Sequence, residues 1–259
     1  MTSRLQFGEA EVLITGGGEG IGRGLAARFL AAGARVLITG RTLTKLERAA
    51  KNLPGLEVLP NDISRPEGRE ALATHVRCAM PGLNVLINNA GVQRRIALAA
   101  DDAPWPERQT EIDTLLSGPI HLNHLLVPMI LASGRPGLVV NVTSGGAFVP
   151  QPFAPVYSAC KAAMHSYTMN LRYALGGSPC RVVEVIPPAV RTGLAGPGTS
   201  HGAPLDDFCD EVFAALQAGG ADEVGYGVTE STAFREPMRL ARALFEANSS
   251  RFPIKTYAS

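Results

Sequence analysis

The chain has 259 residues, 46% of them hydrophobic and 18% charged, with 24 Lys and Arg against 23 Asp and Glu for a formal net charge of +1. That length and apolar content suit one large α/β domain spanning 1–259, and the scattered basic residues form no stripe of the kind that holds nucleic acid. Four cysteines, Cys78, Cys160, Cys180 and Cys209, include no C-x-x-C pair and read as reduced core thiols of a cytoplasmic protein.

No signal peptide is expected from residues 1–11. The longest greasy stretch, 125–132, is too short to span a bilayer, so no membrane partner is expected. A strand is predicted over 11–15, running into Gly16-Gly17-Gly18-Glu19-Gly20-Ile21-Gly22. Ile21, Leu25, Ala26, Phe29 and Leu30 then recur at helical spacing up to Gly33. A second strand is predicted over 35–39. Thr42 is the expected N-cap of a helix through Leu53, which stops before Pro54. A third strand covers 56–59 and leads to Asn61-Asp62-Ile63. A helix spans about 66–80, with Pro66 in its first turn, and a fourth strand, 84–87, ends in Asn88-Asn89-Ala90-Gly91.

Residues 92–106 read as a loop. A long helix is predicted over about 107–132, disturbed at Gly118-Pro119 and Pro128. The apolar run 138–142 reads as a buried strand, followed by a helix over 154–175 and a sixth strand over 181–186 that runs into Pro187-Pro188. Residues 193–204 are rich in Gly, Pro, Ser and Thr and read as a mobile loop over the substrate region, about 193–210. A helix over 206–218, a short edge strand over 223–228 and a last helix over 236–247 complete the chain. Strands alternating with helices predict a Rossmann-type α/β fold, a doubly wound parallel sheet covered on both faces, with no linker.

Three side chains stand out. On one helix Tyr157 and Lys161 lie four residues apart and share a face, and Ser144 sits just beyond the 138–142 strand. A phenol, an ammonium and a hydroxyl can then meet, and a nearby cation favours phenolate, lowering a pKa of about 10. That set suits proton transfer at a carbonyl or alcohol oxygen. The glycine turn between strand and helix suits a pyrophosphate at the helix N-terminus. Where a ribose-binding carboxylate would mark NAD, the sequence has Gly40 and then Arg41, which favours the 2′-phosphate of NADP(H); Glu19 points toward NAD. His121 and His124 lie three apart, but nothing completes a metal site, so none is expected. Phe148, Phe153 and Trp105 are candidates for the substrate wall or for loop packing.

Four features in order, Thr15-Gly16-x-x-x-Gly20-Ile21-Gly22, Asn88-Asn89-Ala90-Gly91, Ser144 and Tyr157-x-x-x-Lys161, resemble the short-chain dehydrogenase/reductase family from Val12 to about Thr192. The resemblance implies Tyr157 as general acid and base, and Lys161 holding the nicotinamide ribose. It implies Ser144 bound to the substrate oxygen, and NADP(H) contacts from Gly16, Gly18, Gly20, Ile21, Arg41, Asp62, Ile63, Asn89, Ala90, Gly91, Tyr157, Lys161, Pro187, Val190 and Thr192. It also implies a small carbonyl or alcohol substrate and a homodimer or homotetramer packed through the two long helices. Leu115 departs from the pattern: it stands where the family has an Asn that completes a proton relay, and neither Asp113 nor Asn123 is an evident substitute. The alternatives left open are a non-redox enzyme (isomerase, dehydratase or cyclase) with structurally bound NADP, and a catalytically weak NADP-binding protein.

Overall fold

The computed structural model describes residues 5–195, 201–249, 251 and 254–258. Seven strands, all parallel, form one sheet in the order β3-β2-β1-β4-β5-β6-β7. They are β1 Glu11–Thr15, β2 Arg35–Gly40, β3 Glu57–Pro60, β4 Val85–Asn88, β5 Gly137–Val142, β6 Cys180–Val185 and β7 Glu223–Val224. The central strands are near-continuous apolar runs because both faces are covered, as parallel sheets require. On one face Val12, Ile14, Val36, Ile38, Ile87 and Val140 pack against Leu25, Phe29, Leu46, Phe208 and Val212. On the other, Leu13, Leu37, Leu86, Val139 and Val182 pack against Leu72, Val76, Leu122, Leu126 and Leu171.

The helices are α1 Gly20–Ala31, α2 Leu43–Asn52, α3 Pro66–Ala79, α4 Trp105–Ile112, α5 Gly118–Ala132, α6 Pro155–Ala174, α7 Leu205–Ala218 and α8 Thr232–Ser249. After β3 the chain crosses to the far side of β1 and adds β4 there. The reversal leaves a crevice beyond the carboxyl ends of β1 and β4, the usual place for a ligand in such sheets.

The disturbance expected in the long helix is a π turn, Asp113–Ser117, joining α4 to α5. Gly118 N–H bonds the Asp113 carbonyl five residues back, and Pro119 has no N–H with which to restore α register. A Cβ at Gly118 would lie 3.1 Å from the Ile63 carbonyl oxygen, so the helix approaches the loop after β3 closely here. The helical stretch Trp105–Ala132 has 28 residues, and an 18-residue window within it reaches a mean hydropathy of 1.4, long and apolar enough by composition to cross a membrane. The expectation that no stretch is long enough is therefore corrected, since the apolar run extends well upstream of 125. The physical reason is core burial: Leu122, Leu126, Val127 and Ile130 are all at most 1% exposed beneath the sheet.

Other expectations shift at element ends. Thr42 precedes α2 with no side-chain cap; its backbone carbonyl accepts from Lys45 and Leu46 N–H instead. The edge strand shrinks to Glu223–Val224, because Gly225 turns the chain into a 3-10 segment, Gly227–Glu230. Helix α8 starts at Thr232, so Pro237, its sixth residue, falls inside it and removes one backbone i→i−4 hydrogen bond there. Cys78 is exposed rather than in the core, while Cys160, Cys180 and Cys209 are buried free thiols that burial pushes up to about 11, about 12 and about 11. Of the loop expected over 193–204, residues 196–200 lie outside the described residues.

Candidate active site

The carboxyl ends of β1, β2, β4, β5 and β6 open into one cavity of about 670 Å³. Every residue assigned from the sequence to catalysis or cofactor contact lines it, from Gly16 and Arg41 at one end to Ser144, Tyr157 and Thr192 at the other.

The glycine turn is tight for a stated reason. Gly16 has φ +67°, and a Cβ there would stand 2.6 Å from Ala90 Cα. Only glycine permits both. Thr15 at the end of β1 holds the neighbouring strand end: Asn89 and Ala90 N–H both donate to its hydroxyl at 3.1 Å. The Asn89 amide donates to the carbonyls of Thr15 and Gly16 at 3.0 Å each. The Asn-Asn-Ala-Gly segment therefore braces the glycine turn. The helix that follows starts at Gly20 with its first N–H groups toward the cavity, the arrangement that suits an anion.

Arg41 is exposed and lines the cavity at the end of β2. Two residues that the sequence reading did not assign stand with it, Thr42 and Lys45. Lys45 forms an ion pair with Glu19. Glu19 therefore comes with its own cation, which removes the objection it raised to a phosphate beside Arg41. A cradle closed to any Cβ, a helix N-terminus and an arginine fit a phosphorylated dinucleotide.

At the other end Lys161 Nζ donates to the Val142 carbonyl at 2.6 Å and lies 5.7 Å from the Tyr157 ring centroid. Tyr157 is 5% exposed and Lys161 likewise. Burial pushes the Tyr157 phenol above its ordinary value, and a hydrogen bond with Ser144 pulls it back in part. Burial pushes the Lys161 ammonium down to about 8, opposed by the negative potential of Cys160 and Glu184. In the ligand-free protein desolvation is the largest influence on the Tyr157 phenol and raises it, while the Lys161 ammonium is bound to the Val142 carbonyl. Ser144 Oγ accepts from Gly146 N–H at 3.0 Å, which fixes the hydroxyl facing the cavity.

Behind this set lies a polar cluster that the sequence reading missed. Glu184 on β6 is 0% exposed. Thr143 Oγ1 donates to its Oε1 at 2.6 Å, and His165 Nδ1 lies 2.8 Å from its Oε2. An acidic residue inside an apolar strand, V-V-E-V, was the available signal, since a buried carboxylate needs partners.

Leu115 packs with Ala154, Tyr157 and Cys160. The position that the family pattern gives to a relay Asn is therefore next to the tyrosine, and here it is apolar. Asn123 is buried elsewhere, accepting from the Asn88 amide at 2.9 Å beneath the sheet, and cannot reach Tyr157's face. The polar side chain of the π turn that lines the cavity is Thr114, whose hydroxyl donates to the Thr110 carbonyl at 2.8 Å. Of the three aromatic candidates, Phe153 lines the cavity; Phe148 packs against His165 and Phe234, and Trp105 is 67% exposed away from it. His121 and His124 stack with centroids 6.3 Å apart; among the described residues no cluster of three or more potential metal ligands exists.

A doubly wound parallel sheet with a glycine turn at its switch point and a Tyr-Lys pair at the facing strand end defines a nucleotide-dependent oxidoreductase fold. The short chain dehydrogenase family model matches residues 10–201. The oxidoreductase DltE of Bacillus subtilis strain 168 is 40% identical over 183 residues, 71% of this chain and 72% of its own. A sulfoacetaldehyde reductase of Chromohalobacter salexigens is 33% identical over 187 residues, 70% of this chain and 72% of its own. A short chain dehydrogenase from Burkholderia cenocepacia J2315, solved in complex with NADP, superposes with TM-score 0.76 at 26% identity over 96% of this chain and 100% of its own. This chain belongs to the short-chain dehydrogenase/reductase family.

Proposed function

We propose that this protein is an NADP(H)-dependent oxidoreductase that interconverts a small carbonyl compound and its alcohol. The observation that carries the reading is the convergence of Ser144, Tyr157 and Lys161 on one cavity whose far end holds the glycine turn and Arg41. Support comes from the NADP complex of the Burkholderia cenocepacia relative and from the sulfoacetaldehyde reductase relative.

Gly16, Gly18, Gly20 and Ile21 would hold the pyrophosphate, Arg41 with Lys45 the 2′-phosphate, Asp62 and Ile63 the adenine side, and Asn89, Ala90 and Gly91 the adenosine. Pro187, Val190 and Thr192 would hold the nicotinamide end and Lys161 its ribose. When bound, the nicotinamide supplies or takes up the hydride. The protein's own part is at the oxygen. The Ser144 hydroxyl hydrogen-bonds the carbonyl oxygen and fixes its position. Tyr157 hands that oxygen its phenolic proton in reduction and takes one back in oxidation. Burial keeps the phenol protonated when idle, which suits the reductive direction. Leu115 closes the wall behind Tyr157 against water, and we assign proton resupply to Thr114, the polar residue of the π turn that lines the cavity.

The test is NADPH consumption with a panel of aldehydes and ketones, for the wild type and Tyr157→Phe. Turnover that requires Tyr157 supports the reading. Product formed without NADPH consumption would instead favour isomerase, dehydratase or cyclase chemistry, and tight NADPH binding with no product would leave a binding protein.

A further inference from the structure

The cavity end beyond Ser144 contains a cation without a partner. Arg95 has no carboxylate within ion-pair distance among the described residues, whereas its neighbour Arg94 is paired with Glu107. Its guanidinium is nonetheless held in place. Its Cζ lies over the Phe153 ring, 4.8 Å from the centroid, and Nε donates to Gln93 Oε1 at 3.2 Å. The loops carrying the pair are joined through backbone: Ile96 N–H donates to the Phe153 carbonyl at 2.9 Å, and Arg94 N–H donates to buried Glu111 at 3.2 Å. With Cζ over the ring and Nε engaged, the two terminal nitrogens have no hydrogen-bond partner among the described residues, and such a fork takes an oxyanion by two parallel hydrogen bonds.

Polar groups connect that fork to the catalytic hydroxyl. The Gln93 amide donates to Gln151 Oε1 at 3.2 Å. The Gln151 side chain lies against Gly146, whose N–H bonds Ser144 Oγ. The Gln151 amide has no acceptor among the described residues. Gln93, Arg95, Gln151 and Phe153 all line the cavity, and this end of it has no acidic side chain among the described residues. Of the two acids that line the cavity, Glu19 is paired with Lys45, and Asp62 accepts from Ser64 N–H and hydroxyl.

We infer that the substrate carries an anionic oxyacid group, a carboxylate or a sulfonate, which Arg95 binds while Ser144 and Tyr157 hold the carbonyl. The inference deepens the proposed function and rests on it for the reacting group alone. It replaces the expectation, drawn from the apolar residues of the sequence, of a small or medium hydrophobic substrate by a polar, charged class.

Two measurements test it. The first needs no turnover. Propionate, ethanesulfonate and the neutral propionamide are titrated calorimetrically into protein saturated with NADP⁺. Binding of either anion at least tenfold tighter than propionamide, lost in Arg95→Gln and partly kept in Arg95→Lys, is expected; which anion binds tighter separates carboxylate from sulfonate. Equal binding of all three, or an unchanged affinity in Arg95→Gln, overturns the assignment. The second compares NADPH-dependent reduction of succinic semialdehyde, sulfoacetaldehyde and butanal. Arg95→Gln is expected to raise KM for the preferred anion about 30-fold, in line with loss of a charge-assisted pair, and to leave butanal kinetics within threefold. Equal losses on all three overturn the anion role. Anion binding without any reduction would refute the redox reading while leaving the Arg95 site standing.

Discussion

The two ends of the cavity are built differently. The cofactor end is made of backbone: a glycine turn, strand termini and a helix N-terminus, braced by Thr15 and Asn89. The substrate end is made of side chains on loops, with Gln93, Arg95, Gln151 and Phe153 tied to each other by side-chain contacts. A backbone site depends on close approach and tolerates no added atom. A side-chain site can be respecified one residue at a time without disturbing the fold. Between them stand Ser144, Tyr157 and Lys161, whose geometry comes from the sheet but whose chemistry comes from side chains.

Each end can be broken separately. The largest effect is expected between them: Tyr157→Phe should lower carbonyl reduction by about 10³-fold while leaving NADPH affinity, read by fluorescence titration, within a few-fold. A comparable loss of NADPH binding would mean that the tyrosine serves the cofactor end. Next, Gly16→Ala should destabilise the protein by about 2 kcal/mol in urea unfolding and abolish NADPH binding, because a left-handed backbone and the Ala90 contact must both yield. If Gly16→Ala binds NADPH normally, the backbone account of this end is wrong. Arg41→Ala should weaken NADPH by about 30-fold and NADH by less than threefold, the scale of one charge-assisted phosphate contact; equal losses would remove the 2′-phosphate assignment.

Two smaller effects probe the middle. Burial lowers the Lys161 pKa from 10.5 to about 8. Between those values the unfolded chain binds more protons than the folded one, so this group makes the ligand-free protein gain stability as pH rises through that window. Lys161→Met should flatten that rise in denaturation curves. Glu184→Gln removes a negative charge that favours the ammonium, so the high-pH limb of kcat should move to lower pH. A profile that does not move would reduce Glu184 to a packing role. Smallest of all, Thr114→Val should lower kcat about fivefold with KM unchanged, at the low end of proton-transfer effects.

Much of the site was legible because its cofactor end depends on local sequence. A strand followed by glycines and a helix announces a phosphate turn, and Tyr157 and Lys161 are neighbours by helical spacing alone. The family resemblance, carried by counting back from Gly118-Pro119, put Leu115 at the relay position, and the structure packs it against Tyr157. The substrate end was not legible, since Arg95 and Phe153 are 58 positions apart and meet through a backbone bond between two loops. Lys45 was missed for a related reason: on a helix surface it looks like any solvated lysine until Glu19 is found across from it.

The sequence by itself determined the alternation of strand and helix, the glycine turn and the Tyr157–Lys161 spacing proposed for catalysis, because periodicity and short-range spacing are properties of the chain. Tertiary structure decided what no spacing encodes. It buried Tyr157 and Lys161 together, which raises the phenol and lowers the ammonium, and bound that ammonium to the Val142 carbonyl. It placed Glu184 and His165 behind Thr143. It left Arg95 without a carboxylate partner among the described residues, because charge compensation depends on which side chains face each other across the finished cavity.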